Sequence, residues 1–213
     1  MEGKEKVARI TDAILCSLGL IVFAFFIHHQ FPVRIISFAG LMLSAYVMAR
    51  EIKSLSDLKK MFVQTPFSVR TRYTLLAAVL TGIVIAMRYR HYLGMPLFLT
   101  SVTSFAVVSA SIGIMEEIVF RGFIQGHLND VNGVFSVIFG ALSHTAYKCS
   151  LFLAPFPVVK ADIPFLMFWT FITGLWFGTL KKYAGNLLPP ILAHALFDIL
   201  IYGECIKAPW WVW

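Results

Sequence analysis

Charge is what this chain has least of. Only 14% of its 213 residues are Asp, Glu, Lys or Arg, and 59% are hydrophobic; soluble domains run nearer about 25% and about 45–50%. With a mean hydropathy of +0.79, that scarcity excludes an ordinary soluble domain and predicts a polytopic membrane protein. Cysteine is scarce too. Cys16, Cys149 and Cys205 form no metal-ligand spacing and no disulfide framework, and read as small apolar helix residues. There is no Asn-x-Ser/Thr acceptor, no His-Glu-x-x-His motif and no internal repeat. The missing zinc motif weakens a metal-dependent hydrolase, and the missing repeat weakens a transporter. No small-residue cleavage site follows the first apolar run, where His28-His29-Gln30-Phe31-Pro32 stands instead, so that run is expected to be a retained span. The net charge of +7 is no nucleic-acid signature. Its positive residues lie in short clusters beside apolar spans, which is the orientation pattern of membrane proteins.

What is there is a succession of apolar runs near the length of about 20 residues that crosses a bilayer. Spans are expected at Ile10–Ile27, Val33–Ala49, Tyr73–Met87, Leu97–Leu128, Val134–Tyr147, Phe165–Leu180 and Leu187–Tyr202, giving a bundle of about six to eight helices. Between the second and third, Arg50–Val69 carries Leu55, Leu58, Met61 and Phe62 at helical spacing, and predicts an amphipathic segment at the interface. Leu151–Pro164 holds Pro155, Pro157 and Pro164 and is not expected to be one regular helix. Trp210, Trp211 and Trp213 read as an interfacial anchor. The whole chain is expected to be one all-α integral membrane domain, with a motif-bearing core at 97–203 and generic spans over 10–90. With a cytoplasmic N-terminus, eleven lysines and arginines fall inside and six outside, with Arg121 in the bilayer, which favours that orientation.

Three places put polar chemistry into these runs: Glu116, Glu117 and Arg121; His144; and His194 with Asp198. Ionisable groups at membrane depth cost about 3 kcal/mol each and mark function more often than chance. On an α-helix, Glu117 and Arg121 lie about 40° apart and can pair, whereas Glu116 lies about 100° from Glu117 and is the freer carboxylate. His194 and Asp198 also share one face. Glu116 and His144 flank the Asn129–Gly133 turn, each about 20 Å from it, and His194 lies about 15 Å beyond the turn near Ala184. All three therefore fall at similar depth and suggest one buried polar site. A Glu–Arg pair four apart is also a common structural device. His28, His29, His91 and His127 sit at span ends and receive no role.

Glu116-Glu117-x-x-x-Arg121, His144 downstream, and His194-x-x-x-Asp198, with Gly174, Gly178 and Asn186-Leu187 ahead of the last histidine, resemble the three motifs of the CAAX-protease and bacteriocin-processing (Abi) family of intramembrane proteases. The resemblance runs from about Ser101 to Tyr202. It implies a metal-independent endopeptidase without a cofactor, acting in the bilayer on membrane-associated protein or peptide substrates, prenylated CAAX-type ones among them. It implies catalytic roles for Glu116, His144, His194 and Asp198, with Glu117 and Arg121 in support. Glu116 with His144 would polarise a water, and His194 backed by Asp198 would stabilise the oxyanion. Two departures stand out. The phenylalanine expected four residues before His144 is Gly140, with Phe139 one position early, and the last motif ends in Asp198. The rival readings are a metal-dependent hydrolase using Glu116, His144, His194 and Asp198 as ligands, a proton or ion transporter, and a catalytically degraded immunity or scaffold protein of the same family. Leu151–Pro164, between two motif helices, reads either as a lateral flap or as an interfacial connector.

Overall fold

The apolar runs become helices, and an isolated Val63–Asn186 bridge is the extent of β-pairing among the residues described, 2–63, 68–153 and 162–205 of a computed structural model. In order they are α1 (Glu2–Phe26), α2 (Ile35–Glu51), α3 (Leu55–Phe62), α4 (Val69–Tyr92), α5 (Phe105–Glu117), a π-helical segment (Ile118–Gln125), α6 (Gly126–Asn129), α7 (Gly133–Leu153), α8 (Ile163–Ala184) and α9 (Leu188–Tyr202). The architecture is the expected all-α bundle. Helices α1, α4 and α8 are long and apolar enough to cross a membrane, and α2 with α3 is a fourth candidate, bent by 104°. α5 and α9 are short, at 13 and 15 residues, and α7 is interrupted by polar residues such as His144 and Lys148. These three helices carry the polar site, which is why they depart from the uniform apolar span expected of each. The Trp210–Trp213 tail and most of the Leu151–Pro164 segment lie outside the described residues.

The bundle is apolar outside and polar within, as lipid requires. Phe38, Met42, Leu76, Val84, Val107 and Phe168 face outward, while Ser109, Glu116, Glu117, Arg121, Gln125, His144 and Lys181 are buried. Small residues let the helices approach, because lipid gives apolar side chains no reason to prefer protein. A Cβ on Gly40 of α2 would stand 3.0 Å from Val22 of α1 and closer still to Gly19 O. One on Gly82 of α4 would stand 2.6 Å from Ala193 O of α9. Ser44 of α2 donates to Cys16 O of α1 at 2.9 Å. A cluster of Cys16, Leu20, Val47, Phe120, Phe123 and Ile124 joins α1, α2 and the π segment.

Several chain ends gather at one end of the bundle. Arg9 pairs with Asp130 at 2.8 Å, Arg50 pairs with Asp12, and Leu187 N donates to Phe62 O at 2.8 Å. The start of α1, the α2–α3 bend, the turn before α7 and the turn before α9 are therefore together, so the two turns expected on one side are on one side. The amphipathic segment is the short α3, capped by Ser54 accepting from Asp57 N at 3.2 Å. It crosses beneath the site, with Met61 against Gly122. α8 stops at Gly185, whose φ of +67° needs no Cβ and lets its N–H cap Lys181 O at 2.8 Å. Pro189 and Pro190 sit in the opening turn of α9, where a missing N–H costs nothing.

Three boundaries differ from the sequence reading. α4 runs on past Met87 to Tyr92, taking Arg88, Arg90 and His91 into helix. Arg90 is fully buried, donating to Leu200 O at 2.6 Å and pairing with Glu204 at 3.1 Å. α5 begins at Phe105, eight residues later than Leu97, with the stretch before it tied to the end of α9 by Thr100 N donating to Glu204 and Thr103 N donating to Gly203 O. The stretch from Phe105 to Asn129 is continuous but not uniformly α-helical, so the angle of 100° per residue assumed for it holds only up to Glu117.

Candidate active site

Glu116 and Glu117 end α5, and both are buried, at 6% and 0% exposure. Past them the chain widens into the π segment, which buries Phe120, Arg121, Phe123, Ile124 and Gln125. Such wide turns recur where a helix must aim side chains out of α-helical phase. Gln125 reaches across to donate to Gly178 O of α8 at 2.9 Å. Lys181 of α8, read from sequence as a loop charge, is 2% exposed and donates to Arg121 O at 2.7 Å.

The six residues singled out from the sequence come together as a wired cluster. Arg121 Nη1 donates to Glu117 Oε1 at 3.1 Å and stands 2.9 Å from His144 Nδ1. A guanidinium only donates, so His144 Nδ1 must accept and the ring proton sits on Nε2. That Nε2–H then donates to Glu116 Oε2 at 3.0 Å. On the other side, His194 Nδ1 donates to the same Glu117 Oε1 at 2.8 Å. Its Nε2 lies between two carboxylates, 3.7 Å from Glu116 Oε2 and 3.8 Å from Asp198 Oδ2. The two imidazoles are 6.0 Å apart, centre to centre.

This geometry corrects two details of the sequence reading. The group behind His194 is Glu117, not Asp198; Asp198 sits on the Nε2 side, too far for a hydrogen bond. Nor is Glu116 the less engaged carboxylate. Lys148 Nζ stands 2.5 Å from its Oε1 while His144 holds Oε2. The Lys148 contact is a close ion pair. Lys148 was read as a loop charge because the fifth span was ended at Tyr147. Its signal was its spacing: four residues after His144, it shares that residue's face of α7.

The Gly140 departure also has a physical account. A Cβ at Gly140 would stand 3.3 Å from Phe120 O and from Gln125 Cβ, so the π segment closes that space. The ring against His144 comes instead from Phe120, 4.6 Å away and tilted by 32°. Phe139 packs on Phe135. Gly174 leaves room for Arg121, whose Nη2 a Cβ would meet at 3.2 Å.

As a metal site the cluster is poorly disposed: both His144 nitrogens are engaged, leaving no lone pair for an ion. Among the described residues, the three groups that could close on a cation lie elsewhere, at Asp12, Glu51 and His127, with ligand atoms within 4.8 Å of one another. There Arg50 already pairs with Asp12.

A carboxylate pair wired to two histidines is thus buried inside an apolar-faced helical bundle, the architecture of a membrane protein. Residues 98–200 match the model of a family described as type II CAAX prenyl endopeptidase Rce1-like. Over that stretch, from the approach to α5 through most of α9, the chain is similar to the CAAX-protease family. The activity that goes with the family is a CAAX-type endopeptidase acting on a membrane-associated protein or peptide. No curated protein and no solved structure matches the chain.

Proposed function

We propose that the chain is an intramembrane endopeptidase in which Glu116 activates a water to cleave prenylated CAAX-type substrates. The observation that carries this reading is the Glu116 carboxylate itself. His144 Nε2–H holds its Oε2, Lys148 pairs with its Oε1, and His194 Nε2 stands 3.7 Å away. A water between Glu116 and the scissile carbonyl gives its proton to Glu116 as its oxygen bonds to the carbonyl carbon. His194, protonated on both nitrogens, donates Nε2–H to the resulting oxyanion and Nδ1–H to Glu117. Collapse breaks the C–N bond, and Glu116 returns the proton to the departing amine. Glu117 and Arg121 hold the two histidines at fixed separation. Asp198 favours the charged His194. Every group needed comes from the chain, so the reaction requires no metal or cofactor, and cleavage should survive exhaustive chelation.

The test is cleavage of a quenched prenylated CAAX peptide, beside an unprenylated control, by purified wild type and Glu116→Gln. Loss of general-base catalysis predicts a fall of about 100-fold or more with insertion intact. Retained proteolysis in Glu116→Gln would sink the assignment, and equal cleavage of both peptides would remove the prenyl requirement.

We also place the N-terminus in the cytoplasm. Arg90, Lys148 and Lys181 join Arg121 within the bundle rather than flanking it. Removing them from the flanks leaves ten positive residues on the N-terminal side against four on the other, which sharpens the bias.

A further inference from the structure

Lys148 lies outside the motif pattern, yet it makes the closest charged contact to Glu116. We propose, resting on the reading of Glu116 as the base, that Lys148 is a positioning residue that pairs with Glu116 Oε1, holds the carboxylate ionised and, with His144 on Oε2, fixes its orientation.

Four observations converge. First, Nζ stands 2.5 Å from Oε1, the closest charged contact that Glu116 makes among the described residues. The ammonium thus places its charge directly on the carboxylate. Second, one face of α7 serves both oxygens of Glu116: His144 takes Oε2 and Lys148, one turn on, takes Oε1. The carboxylate plane is fixed by a single rigid element, which is what a base aimed at a bound water needs. Third, the site holds three carboxylates, Glu116, Glu117 and Asp198, and Arg121 is committed to Glu117. His144 is neutral, with its Nδ1 lone pair on Arg121. Without Lys148, Glu116 and Asp198 would share, among the described residues, only the charge of His194, and at low dielectric one of them would take up a proton. Fourth, the Lys148 side chain is 24% exposed against 7% for Glu116. The lysine is the less enclosed partner of the pair, its apolar stem packed in the bundle while its charged head meets the carboxylate.

The charged and titratable groups facing Glu116 are His144, Tyr147 and Lys148 on α7, His194, Asp198 and Tyr202 on α9, and Glu117 and Arg121 of its own chain segment. Of these, Lys148 is the cation in direct contact with it.

The test uses Lys148→Met, which keeps the stem and removes the charge, and Lys148→Arg, in the intact protein in bilayers. An infrared difference titration, each background minus its Glu116→Gln counterpart, reads protonation of Glu116 with no substrate. We expect an ionised carboxylate at neutral pH in wild type and Lys148→Arg, and a protonated carboxyl band in Lys148→Met. In peptide cleavage, the acid limb of kcat/KM should move up by about one pH unit or more in Lys148→Met. Its kcat near neutrality should fall about 10-fold at little-changed KM, with Lys148→Arg restoring both. An infrared band and an acid limb in Lys148→Met identical to wild type would overturn the proposal. If Lys148→Met does not insert, Lys148→Gln, uncharged but polar, carries the same readouts. Full cleavage by Glu116→Gln would instead bring down the base reading and the catalytic half of this proposal, a result distinct from an unchanged band in Lys148→Met.

Discussion

At Gly113, one turn before Glu117 on α5, a missing side chain is a condition of the site. A Cβ there would overlap Asp198 Oδ2 and stand 3.1 Å from His194 Cδ2. Alanine would add about 1 kcal/mol of helix propensity, but overpacking a closed site costs about 1–3 kcal/mol and moves what it touches. Gly113→Ala should therefore change thermal unfolding little while cutting kcat/KM about 10-fold, since Asp198 must turn away and His194 must give by a few tenths of an ångström. A fully active Gly113→Ala would show that His194 need not hold this position. The six polar residues themselves were legible in the sequence, because an acid or histidine in an apolar run stands out and a spacing of four assigns a shared face. The wiring among them was not. That Arg121 would fix the His144 tautomer, and that Glu117 would back His194, depends on where three separate elements bring their atoms. Phe120, a phenylalanine among twenty, had no feature to mark it as the ring against His144.

The connection from Leu93 to Ser104 is tied down at the element scale by the far end of α9. Glu204 accepts from Thr100 N at 2.6 Å and from Thr100 Oγ1 at 2.9 Å, and Arg90 pairs with it from α4. The Thr100 backbone N–H, then its hydroxyl, then Arg90 hold the Glu204 carboxyl below the ordinary glutamate value of 4.5. A carboxylate whose folded value is depressed contributes stability that is complete above its unfolded value and is lost as pH falls through the folded one. Wild type should thus lose thermal stability relative to Glu204→Gln as pH drops below about 4.5, and the two should differ by a constant amount at neutral pH. Parallel unfolding curves across that range would show that Glu204 does not carry the tie. The π segment belongs to the same scale. Its apolar residues are compatible with an ordinary α-helix, and no local rule forces a wider turn. It is set by what packs against it: Gln125 on Gly178, Phe120 on His144 and Lys181 on the Arg121 carbonyl.

For the whole molecule, sidedness is the property that the chain ends share. The start of α1, the α2–α3 bend and the turns before α7 and α9 lie at one end, and Arg90 with Glu204 lies away from them. Reporters at the N-terminus, after α6 and after α8 should therefore report the same side, which is the cytoplasm in the orientation proposed above. Labelling of the N-terminus from outside would invert the topology. Composition alone determined that the chain is an all-helical membrane protein, because apolar runs in lipid must satisfy every backbone group within themselves. Spacing alone determined which ionisable residues share a helix face. Tertiary structure alone decided that Lys148, Lys181 and Arg90 are interior groups rather than loop charges. It also decided that α5 gives way to a π turn and that Phe120 occupies the place Gly140 leaves. The reason is that the free energy of a buried charge is set by partners on other helices, and no property of the residue or its neighbours in sequence records where those partners lie.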